Sequence, residues 1–182
     1  MDVALKEWAS VIEALGCGRQ IFLLRKGGIV EHRKGFEVRH REFVLFPTFE
    51  HQHAASLQPQ FASIAPDPNP ERIAIQYMAR VSDVFPAPPG REVWRNAGSH
   101  HIWNDSLIDM RYTYRPDLPL HLLLVRVFRL YPQSIPNRPS YVGCKSWVNL
   151  SDQVATADAC PILEDAAYQE KRTNLLRDLQ LQ

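Results

Sequence analysis

The fold is organised around residues 19–53, which read RQIFLLRKGGIVEHRKGFEVRHREFVLFPTFEHQH. Gln20 to Leu24 is an apolar run rich in branched and aromatic residues, which is typical of a buried strand. Phe43 to Phe46 is a second run of this kind, and Pro47 ends it. Between the two runs, Gly27-Gly28 permits a tight turn with positive φ at both positions. The stretch therefore predicts two scaffold strands joined by an excursion.

The excursion carries a local excess of positive charge. From Arg25 to Arg41 there are four Arg and two Lys against two Glu, which gives +4 with His neutral. The whole chain has a formal net charge of +1, so the other residues sum to −3. A Lys/Arg-rich loop between strands can neutralise phosphates, and such binding weakens steeply with salt. The pattern favours a phosphate-binding surface, and the alternative is a solvated hairpin without a partner.

Two sets of residues are candidates for contact with DNA or RNA. The basic set is expected to form one positive face, with Arg33 and Lys34 at the hairpin tip. It consists of Arg25, Lys26, Arg33, Lys34, Arg39 and Arg41. The aromatic set could stack bases or enclose a flipped base. It consists of Phe49, Trp103 and Trp147. The alternative for the tryptophans is a core anchor that buries one end of the ring.

Two later segments predict the long strands of the sheet. Apolar and polar residues alternate from Arg72 to Phe85, which is typical of a long, half-buried strand. Leu120 to Tyr131 is nearly continuous apolar sequence interrupted by Arg126 and Arg129, which favours a central strand. We expect the architecture to depend on these two strands.

Shorter elements are expected around them. In the first half of the chain these are an N-terminal helical turn followed by a strand over Trp8–Ala14, and a short helix from Glu50 to Leu57 capped by Thr48. In the second half they are a helical turn over Arg91–Asn96, a helix capped by Asn104 or Asp105 with Leu107, Ile108 and Met110 inward, a strand within 141–150, and an amphipathic C-terminal helix after Pro161.

Length and composition favour one α+β domain over residues 1–182. The expected sheet is mixed, mostly antiparallel and strongly curved, and its strand lengths resemble the PUA-like barrel class, with the C-terminal helix packed outside. A chain of 182 residues with 45% apolar content can bury a core that needs no disulfide or metal. The three cysteines are widely spaced, which suits a reducing cytoplasm. The N-terminus lacks a signal core and no apolar run is long enough to span a bilayer, so we expect a cytoplasmic protein that does not contact membranes.

An enzymatic function has weaker support in the sequence than nucleic-acid binding. His51-x-His53 and His100-His101 could bind a metal, but no carboxylate stands at a recognisable ligand spacing, so we expect neither a metal nor another cofactor. A restriction-type nuclease would need Glu-x-Lys, which does not occur. The acidic residues Asp67, Glu71 and Asp83 have no such motif to pair with. Cys144 beside Lys145 lacks an identified His partner. A small metal-dependent enzyme and a protein-interaction domain stay as alternatives to nucleic-acid binding.

Seven motifs carry a resemblance to a known bacterial family. They are LKEW (5–8), RKGGI (25–29), REFVLFPTFEHQ (41–52), HIWND (101–105), RPDLPLHLLLVRVFRL (115–130), GCKSWVNL (143–150) and PILED (161–165). On these motifs the chain, from about residue 4 to 170, resembles the domain of unknown function 1802 family. Similar domains occur beside restriction-endonuclease-type nuclease domains, so the resemblance implies nucleic acid as a partner. It implies nothing about catalytic residues.

Overall fold

A mixed sheet of seven strands forms the centre of the molecule. The computed structural model describes residues 1–26, 31–32, 35–36, 40–50, 52–61, 70–143 and 145–181, with only the backbone for 31–32 and 35–36. The strands of this sheet are β1 (Val3–Trp8), β2 (Phe22–Lys26), β5 (Glu42–Thr48), β6 (Arg72–Pro86), β7 (Leu120–Pro136), β8 (Trp147–Asn149) and β9 (Cys160–Pro161). Their order is β2-β7-β6-β5-β1-β8, and β9 pairs with β7. A separate antiparallel pair joins β3 (Glu31–His32) to β4 (Gly35–Phe36).

The two long strands confirm the prediction from alternation and apolar content. β6 and β7 pair antiparallel from Arg72↔Pro136 to Pro86↔His121. The register shifts between Ile75 and Tyr77 and again between Val81 and Asp83. Such irregularities bend the bulged strand and increase its twist.

The N-terminal prediction was wrong about the order of its elements. The chain forms β1 first and then helix α1 (Ala9–Gly16), rather than a helical turn followed by a strand over Trp8–Ala14. β1 lies between β5, to which it is parallel, and β8, to which it is antiparallel. These pairings connect residues far apart in the sequence, so local periodicity could not reveal them.

The sheet does not close into the barrel that the strand lengths suggested. Within the described part of the chain, β2 and β8 are the ends of the hydrogen-bonded path and do not pair with each other. The fold class is nevertheless α+β, with a mixed and mostly antiparallel sheet as expected. The single parallel pair in that path, β1 with β5, places the carboxyl ends of two strands side by side.

Hydrophobic clusters cover both faces of the sheet. The larger cluster packs α1, α2 (Arg91–Asn96) and α3 (Asp105–Thr113) against β2 and β7. The smaller cluster lies on the opposite face and includes Phe46, Tyr141 and Val154. α2 and α3 have the predicted positions, and Asn104 caps α3 by accepting from the Leu107 backbone N–H at 3.0 Å. Met110 was wrongly expected to point inward, because its side chain is 44% exposed.

The C-terminal helix α4 (Asp165–Asp178) confirms the predicted amphipathic helix. Its buried residues include Tyr168, Leu175 and Leu176. Arg172 donates two hydrogen bonds to Asp83, at 2.8 and 3.0 Å, and thereby holds the pKa of that carboxyl below its usual value. Tyr168 contacts Ser82 at 2.6 Å beside one of the β6 irregularities. The helix is therefore fastened to β6 by polar contacts as well as by apolar packing.

The helix expected from Glu50 to Leu57 is shorter than predicted. The Glu50 backbone N–H does donate to the Thr48 hydroxyl at 3.2 Å, but the helical structure described there is a 3-10 turn over Ala54–Ser56. Gln52 instead accepts from the Ser10 backbone N–H, at 3.2 Å, at the start of α1. The backbone bonds described in this segment span three residues, as from Leu57 N–H to the Ala54 carbonyl at 3.1 Å, so the segment forms turns and no α-helix. The predicted strand within 141–150 is present as β8, and none of the described helices is long and apolar enough to cross a membrane.

Candidate functional site

A cavity of about 550 Å³ opens at the carboxyl edge of the parallel strand pair. β1 ends at Trp8 and β5 ends at Thr48, and these two residues are opposite each other in the register. Ligand sites commonly lie outside the carboxyl ends of parallel strands, where the chain leaves the sheet. The lining residues come from five separate segments. They are Lys6, Glu7, Trp8, Arg25, Thr48, Glu50, His53, Met110, Arg111, Tyr114, Gly143, Lys145 and Ser146.

The floor of the cavity contains two buried charged residues of β1. Lys6 and Glu7 are 7% and 6% exposed, because β1 is paired on both sides and covered on both faces. Buried charges are tolerated when they are paired and hydrogen-bonded. Lys6 Nζ donates to the Gly143 carbonyl at 3.1 Å. Glu7 accepts from the Trp8 backbone N–H at 2.8 Å and from Arg25 Nη2 at 2.9 Å.

Arg25 is the first of the predicted basic residues, and it lines the cavity. The side chain of Arg25 is 13% exposed. Its Nη2 also donates to the Lys6 carbonyl at 2.7 Å. Its Nε is buried and finds no hydrogen-bond partner among the described residues. Arg25 therefore links β2 to β1 and places a guanidinium in the cavity wall.

Lys26 fixes the end of α3 next to β2. Its Nζ donates to the carbonyls of Arg111 at 3.0 Å and Tyr112 at 2.7 Å. The last carbonyls of a helix lack intrahelical partners and carry partial negative charge, so a lysine there is stabilising. The contact holds the last turn of α3, and with it the side chain of Arg111, against the cavity.

Arg111 is the cation in this wall with the weakest compensation. Its guanidinium carbon lies 5.7 Å from the centre of the Trp8 ring, a distance typical of a cation–π contact. Its side chain makes no hydrogen bond or ion pair to any residue that the structure describes. Burial lowers the pKa of Arg111, while the negative charge of Glu7 opposes that shift and the like charge of Arg25 adds to it. The half-buried guanidinium of Arg111 and the guanidinium of Arg25 thus share one carboxylate, that of Glu7.

The mouth of the cavity is formed by exposed side chains, both apolar and polar. Met110 and Tyr114, on and just after α3, are 44% and 59% exposed there. Lys145 is exposed on the opposite side and donates to the Ser140 carbonyl at 2.7 Å. Among the described lining residues, four cations (Lys6, Arg25, Arg111 and Lys145) face two carboxylates (Glu7 and Glu50), which leaves +2 with His53 neutral. The cavity therefore has a cationic interior, and its rim combines the exposed side chains of Met110 and Tyr114 with polar ones such as Glu50 and Lys145.

The structure describes three of the six basic residues that the sequence placed on one face. Arg25 lines the cavity, Lys26 is bound to α3, and Arg41 is exposed just before β5. Arg33, Lys34 and Arg39 lie outside the described residues. That these three residues contact phosphate is still a prediction, and so is a continuous positive face through all six residues.

The candidate aromatic residues do not line this cavity. Trp103 is 3% exposed and stacks on His101, with ring centres 5.6 Å apart. Trp147 packs between the rings of His40 and Phe43, at 5.0 and 5.2 Å. Phe49 is half-buried beyond the end of β5. The structure does not bring these three rings together with Arg25, and the indole that joins it in the wall is Trp8.

The predicted histidine pairs are dispersed. His100 Nε2 lies 2.9 Å from Asp178 on α4, whereas His101 is buried with Nε2 3.3 Å from the Trp94 carbonyl. His53 lines the cavity, and His51 lies outside the described residues, as do Cys144 and Asp67. Within the described ranges, no group of three or more His, Cys, Asp or Glu residues is placed to bind a metal.

Sequence reasoning missed the residues that give this cavity its character. Lys6 and Glu7 did carry a signal, because two adjacent charges in the otherwise apolar VALKEW strand need buried partners. Arg111 and Tyr114 carried none, since a helix of average polarity commonly contains such residues. The contact between Lys26 and the end of α3 helps to hold them at the site.

Comparisons with known proteins place the chain in a family. A crystal structure of a ZmASCH mutant protein from Zymomonas mobilis superposes with a TM-score of 0.47 and 8% sequence identity, covering 94% of each chain. No curated protein matches the chain. The model of the family described as "Domain of unknown function (DUF1802)" matches residues 4–174. The chain therefore belongs to the DUF1802 family, as its motifs indicated.

Proposed function

We propose that the protein binds nucleic acid and that a phosphate group enters the cavity between β1, β2 and the end of α3. The observation that carries the proposal is the incompletely compensated guanidinium of Arg111 beside the paired Arg25 and Glu7. A phosphate oxygen is a strong acceptor for such a group, because a planar guanidinium can donate two hydrogen bonds at once. An anion there would also relieve the repulsion between the two arginines.

The size and shape of the cavity support a ligand larger than a simple ion. Its volume of about 550 Å³ lies within the range of roughly 300–1,000 Å³ usual for small-molecule sites. Tyr114 supplies an exposed ring at the mouth. Cations that neutralise phosphate, combined with an aromatic platform for a base, are the usual elements of single-strand recognition.

The basic excursion complements the cavity in this proposal. Arg25 and Lys26 lie where the excursion begins, and Arg41 lies where it ends. In this arrangement Arg33, Lys34 and Arg39 would contact phosphates that flank the one in the cavity. The predicted role of the excursion is thus electrostatic, whereas the cavity would supply the specific contact.

Fluorescence anisotropy with short single-stranded DNA and RNA tests the proposal. We expect Arg111→Gln to weaken binding roughly 10- to 100-fold, which corresponds to about 1.5–3 kcal/mol for a hydrogen bond to a charged group. Measured between about 50 and 200 mM salt, the variant should also flatten the log–log slope by about 0.7, the value for one phosphate of a single strand. The slope separates a lost phosphate contact from a general weakening.

Arg129→Gln is the matched control, because Arg129 is an exposed arginine on β7 outside the cavity. It should change affinity by much less than Arg111→Gln. Thermal unfolding of each variant verifies that both are folded at the assay temperature. The proposal fails if the wild-type protein binds neither nucleic acid at low salt, or if the two variants bind alike.

A further inference from the structure

We infer that the cavity selects a terminal phosphate monoester carried by an unpaired nucleotide, rather than an internal phosphodiester. This inference rests on the proposed function and defines its ligand more narrowly. It follows from three properties of the cavity: the charge of its lining, the depth of its cations and the character of its rim.

The charge of the lining matches a monoester. The described lining residues include four cations and two carboxylates, so their net charge is +2. An internal phosphodiester carries one negative charge, whereas a phosphate monoester carries about −1.5 to −2 at pH 7. In a partly dehydrated site, residual charge is costly because screening by water is weak. A monoester neutralises the lining almost completely, while a diester leaves about one positive charge uncompensated.

The depth of the cations favours a strand end. The side chain of Arg25 is 13% exposed, and Lys6 and Trp8 are 7% and 8% exposed. An internal phosphate has a nucleotide on each side, so both flanking segments would have to fit into the same recess. In a duplex the phosphate is additionally held in a rigid double helix. A terminal phosphate requires space for one neighbouring nucleotide, so it can reach these cations through a single opening.

The rim has the character expected for contact with an unpaired base. Among the described residues, the strongly exposed large hydrophobic side chains are Met110, Tyr114, Val142 and Tyr131. Met110 and Tyr114 line the mouth, and Val142 directly precedes the lining residue Gly143. Exposed apolar groups that concentrate around one opening mark an interaction site. A base on the Tyr114 ring would stand one nucleotide away from a phosphate beside Arg111, three residues earlier in the chain.

Oligonucleotides of one sequence with different ends test the inference on the intact chain. The single-stranded probes carry a 5′-phosphate, a 3′-phosphate or hydroxyl groups at both ends, and a free nucleoside monophosphate serves as competitor. We expect one of the phosphorylated forms to bind at least about 10-fold tighter than the hydroxyl form, and the preferred form identifies the source of the monoester. The same phosphorylated strand in a blunt duplex should lose most of this advantage.

Variants assign the two contacts separately. Arg111→Gln should reduce the preference for a terminal phosphate, whereas Tyr114→Ala should weaken both phosphorylated and hydroxyl-ended strands by roughly 5- to 100-fold through lost base stacking. Tyr114→Phe should retain affinity. Tyr131→Ala should change nothing, because Tyr131 is 81% exposed on β7 and does not line the cavity.

The outcomes distinguish this inference from the proposed function. If single strands bind in an Arg111-dependent manner but all ends bind alike, the cavity holds an internal phosphate and the inference is overturned while the proposed function stands. Equal binding of duplex and single strand, or an unchanged affinity in Tyr114→Ala, also overturns it. Absence of any binding by the wild-type protein overturns both.

Discussion

Replacing Glu7 by Gln should destabilise the fold and strengthen anion binding at the same time. Glu7 is 6% exposed and supplies the carboxylate that Arg25 Nη2 contacts at 2.9 Å. Gln can still accept from the Trp8 backbone N–H, but its amide group cannot replace the charge. Arg25 would keep its hydrogen bond to the Lys6 carbonyl. The variant thus leaves two neighbouring guanidinium groups, Arg25 and Arg111, without a negative partner.

The expected loss of stability follows from the burial of the pair. Removing one partner of a buried ion pair costs about 3–5 kcal/mol. The remaining bond from Arg25 to Lys6 and the partial exposure of Arg25 place Glu7→Gln near the lower value, about 3 kcal/mol. For a chain of this size, about 2–4 °C per kcal/mol converts this into a decrease in Tm of roughly 6–12 °C. The lining charge would rise from +2 to +3, so a phosphate ligand should raise the Tm of the variant more than that of the wild type.

Urea denaturation of three variants checks this prediction. Glu42→Gln is the matched control, because Glu42 pairs with Arg80 at 2.6 Å but the two side chains are 45% and 55% exposed. We expect it to cost less than about 1 kcal/mol. Glu7→Gln combined with Arg25→Gln should recover part of the loss, because it removes the unpaired charge as well. If Glu7→Gln costs no more than Glu42→Gln, or if the double variant is no more stable than Glu7→Gln alone, the reasoning about the cavity charges is wrong.

Two further predictions concern stability away from the cavity. Burial lowers the pKa of His101 below the ordinary histidine value of about 6.5. The protein therefore has its full stability at pH values above about 6.5, and it loses stability as the pH falls below that value. The free energy of unfolding should therefore decrease from pH 7 to pH 5 by up to about 1.4 kcal/mol per pH unit, and His101→Leu should reduce this slope whatever its effect on absolute stability. Gly16→Ala should destabilise by about 1–3 kcal/mol although alanine favours helix, because a Cβ there would lie 2.6 Å from the Tyr77 hydroxyl. Urea denaturation measures this loss of stability. A stability equal to or above that of the wild type would contradict the steric explanation. So would a failure of Tyr77→Ala to recover stability in the Gly16→Ala background.

Local patterns predicted the elements that depend on local properties. The alternation from Arg72 and the apolar run from Leu120 identified β6 and β7, because one or both faces of those strands are buried along most of their length. Arg91–Asn96 was predicted with its observed bounds. The N-terminal error has a physical reason: Val11, Ile12 and Leu15 do form a helical stripe, but the strand before them is stabilised by β5 and β8.

The candidate site was harder to predict because it is assembled from distant segments. The positive local charge in the sequence did single out Arg25, which lines the cavity. It favoured Trp103 and Trp147 on the basis of their polar neighbours, yet both pack against other rings. Trp8 and Arg111 meet only when β1 enters the sheet and Lys26 binds the end of α3. No spacing in the sequence encodes that encounter.

The pairing of β1 with both β5 and β8 has a consequence for synthesis of the chain on the ribosome. β5 ends at residue 48, but β8 begins only at residue 147, which is 99 residues later. At about 5–20 residues per second, roughly 5–20 seconds pass between the two. During that interval one edge of β1 has no neighbour, and the cavity lacks the wall formed by Gly143 and Lys145. A nascent chain therefore completes this cavity late, after most of its hydrophobic sequence has left the ribosome.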